Sequence, residues 1–470
     1  MSTILSDGGS GKPSFDRMAD VFLQDPGLPF ARVLSAREIE RAFAENDALF
    51  GQNDIFSTPV VLWAFLAQVL RDGKGAACAA AVADIATYRQ QTGGSVPSGD
   101  TGDYCRARAK LDLPTLRSLA RGAARGLEAQ APADWLWHGL RARLIDGFTF
   151  TLMDTPRNQQ AYPQAKTQKP GVGLPIARAC AVLSLATGAL CDLAVGPYEG
   201  KETGESALLR RLLDGFDEGD VAVFDRYYCS FMMVALLALG GVNCCTRLHQ
   251  NRHSDFDRGR RLGDRDHLVT WTRPARPAWM PPEQYARIPE TLTLRELQFD
   301  VVVPGRRTEA LTVVTTLTDP AAYPAEEIAA LYGCRWNVEL DIRSIKQTLG
   351  LDHVCCKTPE MVERHLWTTL LAYNLIRKVM ATAAAVHGKS PRQLGFTLAC
   401  QTILSSWMLL ATGACRDARG LWRSALARIA ANEVANRPGR IEPRVLKRRR
   451  HRYPLMTRPR PELRRTLGTT

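Results

Sequence analysis

The spacing of apolar residues changes near residue 144, and this change separates a helical part of the chain from a part that contains strands. Between about residues 35 and 130 the apolar residues recur at helical spacing, with Ser35 placed as an N-cap and Pro114 suited to a first helical turn. From Phe148 to Leu152 apolar side chains instead alternate with threonines, which is typical of a β-strand. We therefore expect a helical N-terminal region followed by a domain built on a sheet.

A hairpin and a strand–helix alternation follow this first strand. Two apolar runs flank Thr187-Gly188, which predicts a β-hairpin. A leucine-rich helix opens at Ser206, residues 221–225 form a short apolar strand, and another helix starts at about Ser230. This order predicts an α/β fold with a ribonuclease-H-like mixed sheet flanked by helices, in which an antiparallel meander leads into parallel crossover units.

The segment from residue 243 to 318 has a different composition, rich in Arg, Pro, Thr and Val. Strand-like patterns at residues 299–303 and 311–317 make it a mostly β insertion that interrupts the sheet domain. Helical patterns return at Pro324 and continue to about residue 431. The two stretches around the insertion are therefore expected to form one domain.

Positive charge is concentrated near the C-terminal end. Between residues 437 and 465 there are twelve Lys or Arg and two Glu, a net of +10 out of the formal +13 of the chain. Such a run attracts phosphate backbones by counterion release without reading sequence, although it can also be a solvated tail. The densest part of this tail consists of Lys447, Arg448, Arg449 and Arg450.

Membrane and secreted classes are not favoured. The first fifteen residues are polar and rich in Gly and Ser, so we expect no secretory signal. The longest apolar stretch, residues 231–241, is shorter than the roughly 20 residues that a membrane span needs. The twelve scattered cysteines indicate reduced thiols in a cytoplasmic protein without membrane partners.

Two aspartates lie at strand positions from which they could share a divalent metal ion. Asp146 lies near the start of the first strand and Asp225 ends the fourth, and these strands can be neighbours in such a sheet. Their carboxylate oxygens suit Mg²⁺ or Mn²⁺. Asp154, eight residues after Asp146, also follows apolar residues and remains an alternative, and any of these residues could instead be a turn or cap residue.

A helical stripe supplies a third acidic residue. Tyr332, Arg335, Glu339 and Lys346 are separated by 3, 4 and 7 positions, which places them along one face of a predicted helix. A surface ion-pair ladder of Arg335 and Glu339 explains part of this pattern, but it does not explain the Tyr and Lys. An adjoining apolar stripe would face the core: Val338, Ile342, Ile345 and Leu349.

The pattern Tyr332-x2-Arg335-x3-Glu339-x6-Lys346 resembles the signature of the IS4-family DDE transposases. The residues after Asp146, the sequence Gly204-Glu205-Ser206 and the block at residues 219–228 also resemble the catalytic segments of that family. The resemblance extends from about residue 140 to 380. It implies that Asp146, Asp225 and Glu339 form a catalytic triad that holds two Mg²⁺ (or Mn²⁺) ions over a phosphodiester.

The same resemblance implies contacts with DNA. Tyr332, Arg335 and Lys346 would hold a transposon end, and family members trap a flipped base against an aromatic residue, for which Trp271 and Trp279 are the candidates. Either Trp could instead pack on the sheet of the insertion. The full set of expected DNA-binding residues also contains the following basic side chains: Arg226, Arg273, Arg343, Lys447, Arg448, Arg449 and Arg450.

We therefore expect a cut-and-paste transposase that binds the inverted repeats of an insertion sequence, cleaves them through a hairpin and joins them to target DNA. It would act as a homodimer on double-stranded DNA in the bacterial nucleoid. The alternatives are an inactive, transposase-derived DNA-binding repressor and a ribonuclease-H-like nuclease without strand transfer. The expected domains are a helical DNA-binding region (1–138), the first part of a catalytic domain (139–242), the β-rich insertion (243–318), the second part of the catalytic domain with C-terminal helices (319–432) and the basic tail (433–470).

Overall fold

The computed structural model describes residues 34–52, 54–301, 309–411, 417–434 and 456–466. The predicted contacts of Lys447, Arg448, Arg449 and Arg450 lie outside these residues. These described residues form two compact units, one from those between 34 and 131 and between 374 and 433, and the other from those between 132 and 373 together with 434 and 456–466. Residues 374–433 thus group with the N-terminal helices.

The helices of the described residues are numbered in chain order. They are α1 (Ala36–Ala44), α2 (Thr58–Val69), α3 (Cys78–Gln91), α4 (Gly102–Ala109), α5 (Leu113–Ala129), α6 (Pro156–Ala161), α7 (Glu205–Arg210), α8 (Phe231–Leu239), α9 (Pro282–Arg287), α10 (Ala325–Gly333), α11 (Trp336–Arg343), α12 (Pro359–Val386), α13 (Phe396–Ala411), α14 (Ala418–Ala431) and α15 (Arg460–Thr466). None of them is long and apolar enough to cross a membrane.

The first unit is helical, as its sequence predicts. Ser35 caps α1 in a capping box with Glu38, and each side chain accepts a hydrogen bond from the backbone N–H of the other residue. Every residue of α2 is buried, which fits a helix that is apolar on all sides. Pro114 lies in the first turn of α5, where its missing N–H costs no helical hydrogen bond.

Within the part of the chain that the structure describes, the second unit is built on one ten-stranded sheet. Its strands are β1 (Ala142–Leu152), β2 (Ile176–Ser184), β3 (Leu190–Pro197), β4 (Val221–Phe224), β5 (Asn243–Arg247), β6 (Arg260–Gly263), β7 (Asp266–Thr272), β8 (Thr291–Val301), β9 (Glu309–Thr315) and β10 (His353–Val354). They are arranged in the order β3-β2-β1-β4-β5-β9-β8-β7-β6, and β10 pairs with the end of β1.

The first five strands form the ribonuclease-H-like mixed sheet. β1 pairs antiparallel with β2 and parallel with β4, and β5 continues the parallel part. The predicted hairpin joins β2 to β3, and Gly188 in its turn has φ +74°, a conformation that glycine adopts without strain. Because two parallel crossovers follow an antiparallel meander, the predicted fold class is confirmed.

The insertion extends this sheet instead of forming a separate one. β5 pairs parallel with β4 on one side and antiparallel with β9 on the other, and β8, β7 and β6 follow outward. Residues 243–247, expected in the insertion, therefore belong to the core sheet. The inserted strands are joined by the buried Arg295, whose guanidinium donates to Asp266 at 2.8 and 2.5 Å.

A continuous hydrophobic core supports the second unit. It contains side chains from the core sheet, such as Ile145 and Phe224, together with Leu208 of α7 and Val234 of α8. Helices α7 and α8 therefore pack on the sheet close to the residues that follow β4. This packing fixes the two segments, before and after β4, that flank the candidate site.

Candidate active site

Two aspartates follow the paired part of neighbouring strands. β1 and β4 are parallel, and Leu144 lies opposite Val223 with an offset of 79 residues. Asp146 lies two residues after Leu144 in β1, and Asp225 lies two residues after Val223, directly after the end of β4. Asp225 is close enough for its charge to raise the pKa of Asp146. The two carboxylates are therefore neighbours near the end of β4.

Backbone N–H groups orient both carboxylates. Asp146 accepts a hydrogen bond from the N–H of Gly147 at 2.8 Å, and Asp225 accepts one from the N–H of Tyr227 at 2.8 Å. Burial raises the pKa of Asp146 to about 6; the carboxylates of Asp225 and Glu205 also raise it, whereas the Gly147 N–H and Arg335 lower it. Asp146 therefore lies in a partly buried environment, where one guanidinium and two carboxylates act on it.

Arg335 links Asp146 of β1 to Glu339 of α11. Its guanidinium donates to Asp146 Oδ2 at 3.4 Å and to Glu339 Oε1 at 3.2 Å. The Arg335 side chain is 14% exposed and that of Glu339 is 38% exposed. The structure thus brings Asp146, Arg335 and Glu339 together, with Asp225 on the adjacent strand.

The prediction of one continuous helix for the stripe from Tyr332 to Lys346 is wrong in detail, because the chain turns at Cys334 and Arg335 between α10 and α11. Ser344 to Thr348 then form a π-helical turn, in which the N–H of Leu349 bonds to the carbonyl of Ser344. A π turn widens the helix and rotates the side chains that follow. Lys346 accordingly forms an ion pair with Asp352 at 3.0 Å.

Tyr332 lies near Asp225 and Arg335. Its ring is buried, and burial raises the pKa of its hydroxyl to about 12, while the charges of Arg335 and Arg247 lower it and Asp225 raises it. The hydroxyl therefore remains protonated at neutral pH and is able to donate a hydrogen bond.

The other predicted DNA-binding residues fall into two groups. Arg226, directly after Asp225, and Arg343, at the end of α11, are exposed. Arg273 instead donates to the carbonyls of Tyr285 and Ile288, at 3.2 and 2.6 Å. The exposed pair is available to a ligand as it stands, whereas Arg273 fixes the loop that contains it.

Trp271 is packed in the core. Its side chain is 5% exposed, its indole N–H donates to Glu296 at 3.0 Å, and the guanidinium of Arg252 lies 3.8 Å from the centre of its ring. A flipped base would reach this ring only after Arg252 moved. Trp279 is partly buried, and the guanidinium of Arg210 lies 3.8 Å from its ring centre.

Glu205 is a further acidic residue at this site; the sequence analysis placed it in a segment that resembles the family but assigned it no role. It begins α7, and its charge acts on both Asp146 and Asp225. Burial raises the pKa of its carboxyl, while the guanidinium of Arg178 and a hydrogen bond from Tyr228 lower it. The signal in the sequence was Gly147, since a residue without a side chain beside Asp146 leaves room for another group.

The donor chemistry of the site fits a divalent metal ion. Asp146, Asp225 and Glu339 offer only carboxylate oxygens, which Mg²⁺ and Mn²⁺ prefer. Within the described residues, no three His, Cys, Asp or Glu side chains are already arranged to hold an ion. The guanidinium of Arg335 lies between Asp146 and Glu339, so an ion that bound both carboxylates would require Arg335 to move.

Comparisons with known proteins agree with this geometry. Residues 137–375, about half of the chain, match the family model described as the transposase DDE domain. The transposase InsG for insertion sequence element IS4 of Escherichia coli (strain K12) is 29% identical over 324 residues, which are 68% of this chain and 70% of InsG. The putative transposase InsL for element IS186A of the same organism is 35% identical over 104 residues, 22% of this chain and 28% of InsL.

A solved structure of a piggyBac transposase synaptic complex with hairpin DNA aligns with 90% of this chain and 86% of its own, at 10% identity and a TM-score of 0.42, a likeness too weak to carry an argument. The family-model match covers β1, β4 and α11 and so contains Asp146, Asp225 and Glu339. From this match and the similarity to InsG, the chain is an IS4-family DDE transposase, an enzyme of the polynucleotidyl transferase and endonuclease class.

Proposed function

We propose that this transposase binds the terminal inverted repeats of an insertion sequence, cleaves both ends and joins them to target DNA. The observation that supports this proposal most is that one guanidinium contacts both Asp146 and Glu339, with Asp225 directly after the adjacent strand and acting on the pKa of Asp146. Three neighbouring carboxylates suit phosphodiester hydrolysis and transesterification. A DNA-binding function alone would not require them.

The three acids would hold two Mg²⁺ or Mn²⁺ ions. When bound, these ions would activate the attacking water or 3′-hydroxyl and stabilise the leaving oxygen. The chain itself contributes orientation: the N–H groups of Gly147 and Tyr227 fix the Asp146 and Asp225 carboxylates before substrate arrives. Such preorganisation lowers the cost of aligning the reacting groups.

The basic and phenolic groups around the acids would bind the DNA strand. Arg335 offers a planar fork that matches a phosphate, and Lys346 offers a point charge once it leaves Asp352. Arg226, next to Asp225 in the chain, and Arg343, at the end of α11, are already exposed. Tyr332 would donate its protonated hydroxyl to a neighbouring phosphate.

Several finer features stay predictions of the family resemblance. They are the hairpin route, base capture by Trp271, DNA contacts through Arg273 and the basic tail, and a homodimer on DNA. For Trp271 the prediction carries a condition, since Arg252 covers its ring. A capture step at this position would therefore include a movement of the segment that contains Arg252.

Cleavage and strand-transfer assays test the proposal. The substrate is a duplex that carries the inverted repeat flanking the coding region, with target plasmid and Mg²⁺. We expect wild-type protein to give cut and joined products and Glu339→Gln to lose at least about a hundredfold in both rates, since one metal-holding carboxylate is removed. Glu283→Gln, an exposed substitution on α9, is the control that should leave both rates unchanged.

Each competing function has its own outcome in the same assay. Binding of the duplex without any nick would indicate a DNA-binding repressor. Nicking without a joined product would indicate a nuclease without strand transfer. A Glu339→Gln protein as active as the wild type would refute the assigned triad.

A further inference from the structure

Glu205 occupies the space where a side chain of residue 147 would lie. A Cβ added to Gly147 would be 2.2 Å from Glu205 Cδ and 2.6 Å from Glu205 Oε1, distances at which the atoms overlap. The Glu205 carboxyl group therefore rests directly on the backbone of β1, one residue after Asp146. Only glycine at position 147 permits this contact.

Tyr228 holds Glu205 from the other side. Its hydroxyl donates to Glu205 Oε2 at 3.3 Å and lies 3.7 Å from the thiol of Cys180. Cys180 is directly opposite Gly147 on β2, and Tyr228 is 1% exposed. The contacts thus run from the segment after Asp225, through Tyr228 and Glu205, to the residue after Asp146.

This chain of contacts bears on the orientation of the first aspartate. The N–H of Gly147 donates to Asp146 Oδ1, so a displacement of Gly147 changes the position of that carboxylate. Glu205 also adds negative charge next to both aspartates, because its charge acts on Asp146 and on Asp225. A neutral side chain of the same shape would retain the packing but lose this charge.

We propose that Glu205 is a positioning residue of the catalytic site: packed on Gly147 and held by Tyr228, it fixes the carboxylate of Asp146 relative to Asp225 and increases the attraction of the pair for a divalent cation. The inference rests on the proposed function, in which these aspartates hold the metal. It assigns a role at the site to a fourth acidic side chain.

Titration of the full-length protein with MnCl₂, with free Mn²⁺ measured by electron paramagnetic resonance, tests the proposal without using activity. We expect Glu205→Gln to weaken Mn²⁺ binding about tenfold, in line with the loss of an outer partner of a metal ligand. Glu202→Gln is the matched control: it lies in the segment just before α7, is 59% exposed at its side chain and pairs with Arg210, so its Mn²⁺ affinity should equal that of the wild type.

Two further variants separate positioning from a purely structural role. Tyr228→Phe removes the hydroxyl that holds Glu205 and should weaken Mn²⁺ binding to a lesser extent. Glu205→Asp keeps the charge but shortens the reach to Gly147, so it should recover part of the affinity lost in Glu205→Gln. Thermal unfolding of each protein shows whether the fold is retained; if Glu205→Gln is folded and binds Mn²⁺ as the wild type does, the proposal is refuted.

Asp146→Asn and Asp225→Asn distinguish this proposal from the proposed function. If both weaken Mn²⁺ binding and Glu205→Gln does not, the assigned metal site stands and the role of Glu205 is wrong. If neither of the Asn substitutions affects Mn²⁺ binding, the proposed metal site itself is wrong.

Discussion

The guanidinium of Arg335 donates to the carboxylate of Asp146, 189 positions earlier in the chain, at a distance of 3.4 Å. The same guanidinium also donates to Glu339. A cation between two acids reduces their attraction for a metal ion, while the same cation is a ready ligand for a phosphate. An ion that bound both carboxylates would therefore displace Arg335, and a DNA phosphate would compete with the two acids for the same guanidinium.

Replacement of Arg335 should change the two affinities in opposite directions. We expect Arg335→Gln to bind Mn²⁺ about tenfold more tightly than the wild type without DNA, because a positive charge next to the carboxylates is removed. Its affinity for the inverted-repeat duplex should fall. Arg157→Gln, which removes an exposed arginine paired with Glu360, is the control for total charge. An unchanged Mn²⁺ affinity in Arg335→Gln would contradict the inference that Arg335, between Asp146 and Glu339, weakens metal binding.

The choice between the two candidate aspartates of the first strand has a direct test. Asp146→Asn should reduce DNA cleavage by at least about a hundredfold, because it removes a metal-holding carboxylate. Asp154 lies beyond the end of β1 and is exposed, and its carboxylate accepts a hydrogen bond from the side-chain amide of Gln159. Asp154→Asn should therefore cleave at the wild-type rate; the reverse result would reassign the first member of the triad.

Asp146 should also destabilise the folded protein at neutral pH. Burial raises its pKa from 3.8 to about 6, so the folded state binds this proton more tightly than the unfolded state and loses stability as pH rises from about 4 through 6. Asp146→Asn cannot ionise, and in EDTA at pH 7.5 its free energy of unfolding should exceed that of the wild type by on the order of 2 kcal/mol. Chemical denaturation at pH 7.5 and pH 5 checks this, since the difference should shrink at pH 5.

The buried ion pair of the inserted strands should be sensitive to the loss of one partner. Arg295 is 1% exposed and donates to both oxygens of Asp266, so Arg295→Ala leaves a buried carboxylate without its cation. We expect a loss of about 3–5 kcal/mol in the free energy of unfolding. The ion pair of Arg265 with Asp300 is half-exposed, so Arg265→Ala should have nearly the same free energy of unfolding as the wild type in the same denaturation experiment. Equal stability of the two variants would refute the role of the buried pair.

Local patterns predicted the parts of the site that depend on local structure. The alternation around Phe150 and the short apolar run before Asp225 identified the two strands, and the 79-residue spacing of the aspartates equals the observed offset between them. The spacing from Tyr332 to Glu339 placed the third acid on a helix. These features could be predicted because the spacing of apolar residues along the chain differs between strands and helices.

Long-range contacts were not predictable in the same way. Three contacts of the site join residues that are far apart in the chain. Arg335 donates to Asp146, the guanidinium of Arg252 packs on the ring of Trp271, and Glu205 packs on Gly147. No repeating spacing in the sequence indicates such contacts. The π turn around Lys346 depends on one additional residue in a helical turn. The sequence therefore indicated the chemistry of the site better than the partners that its residues have in the folded protein.

The pairing of β9 with β5 determines where the large sheet ends. The three central residues of β5 are buried, and without β9 the backbone of this strand would be an open edge, a template on which other chains could add strands and aggregate. In the described structure the edge lies instead at β6, a strand of four residues with two exposed arginines and an irregular register against β7. Short, charged and irregular edges resist such pairing, so the insertion protects the solubility of the enzyme, and deleting it should yield an aggregating protein instead of a smaller active one.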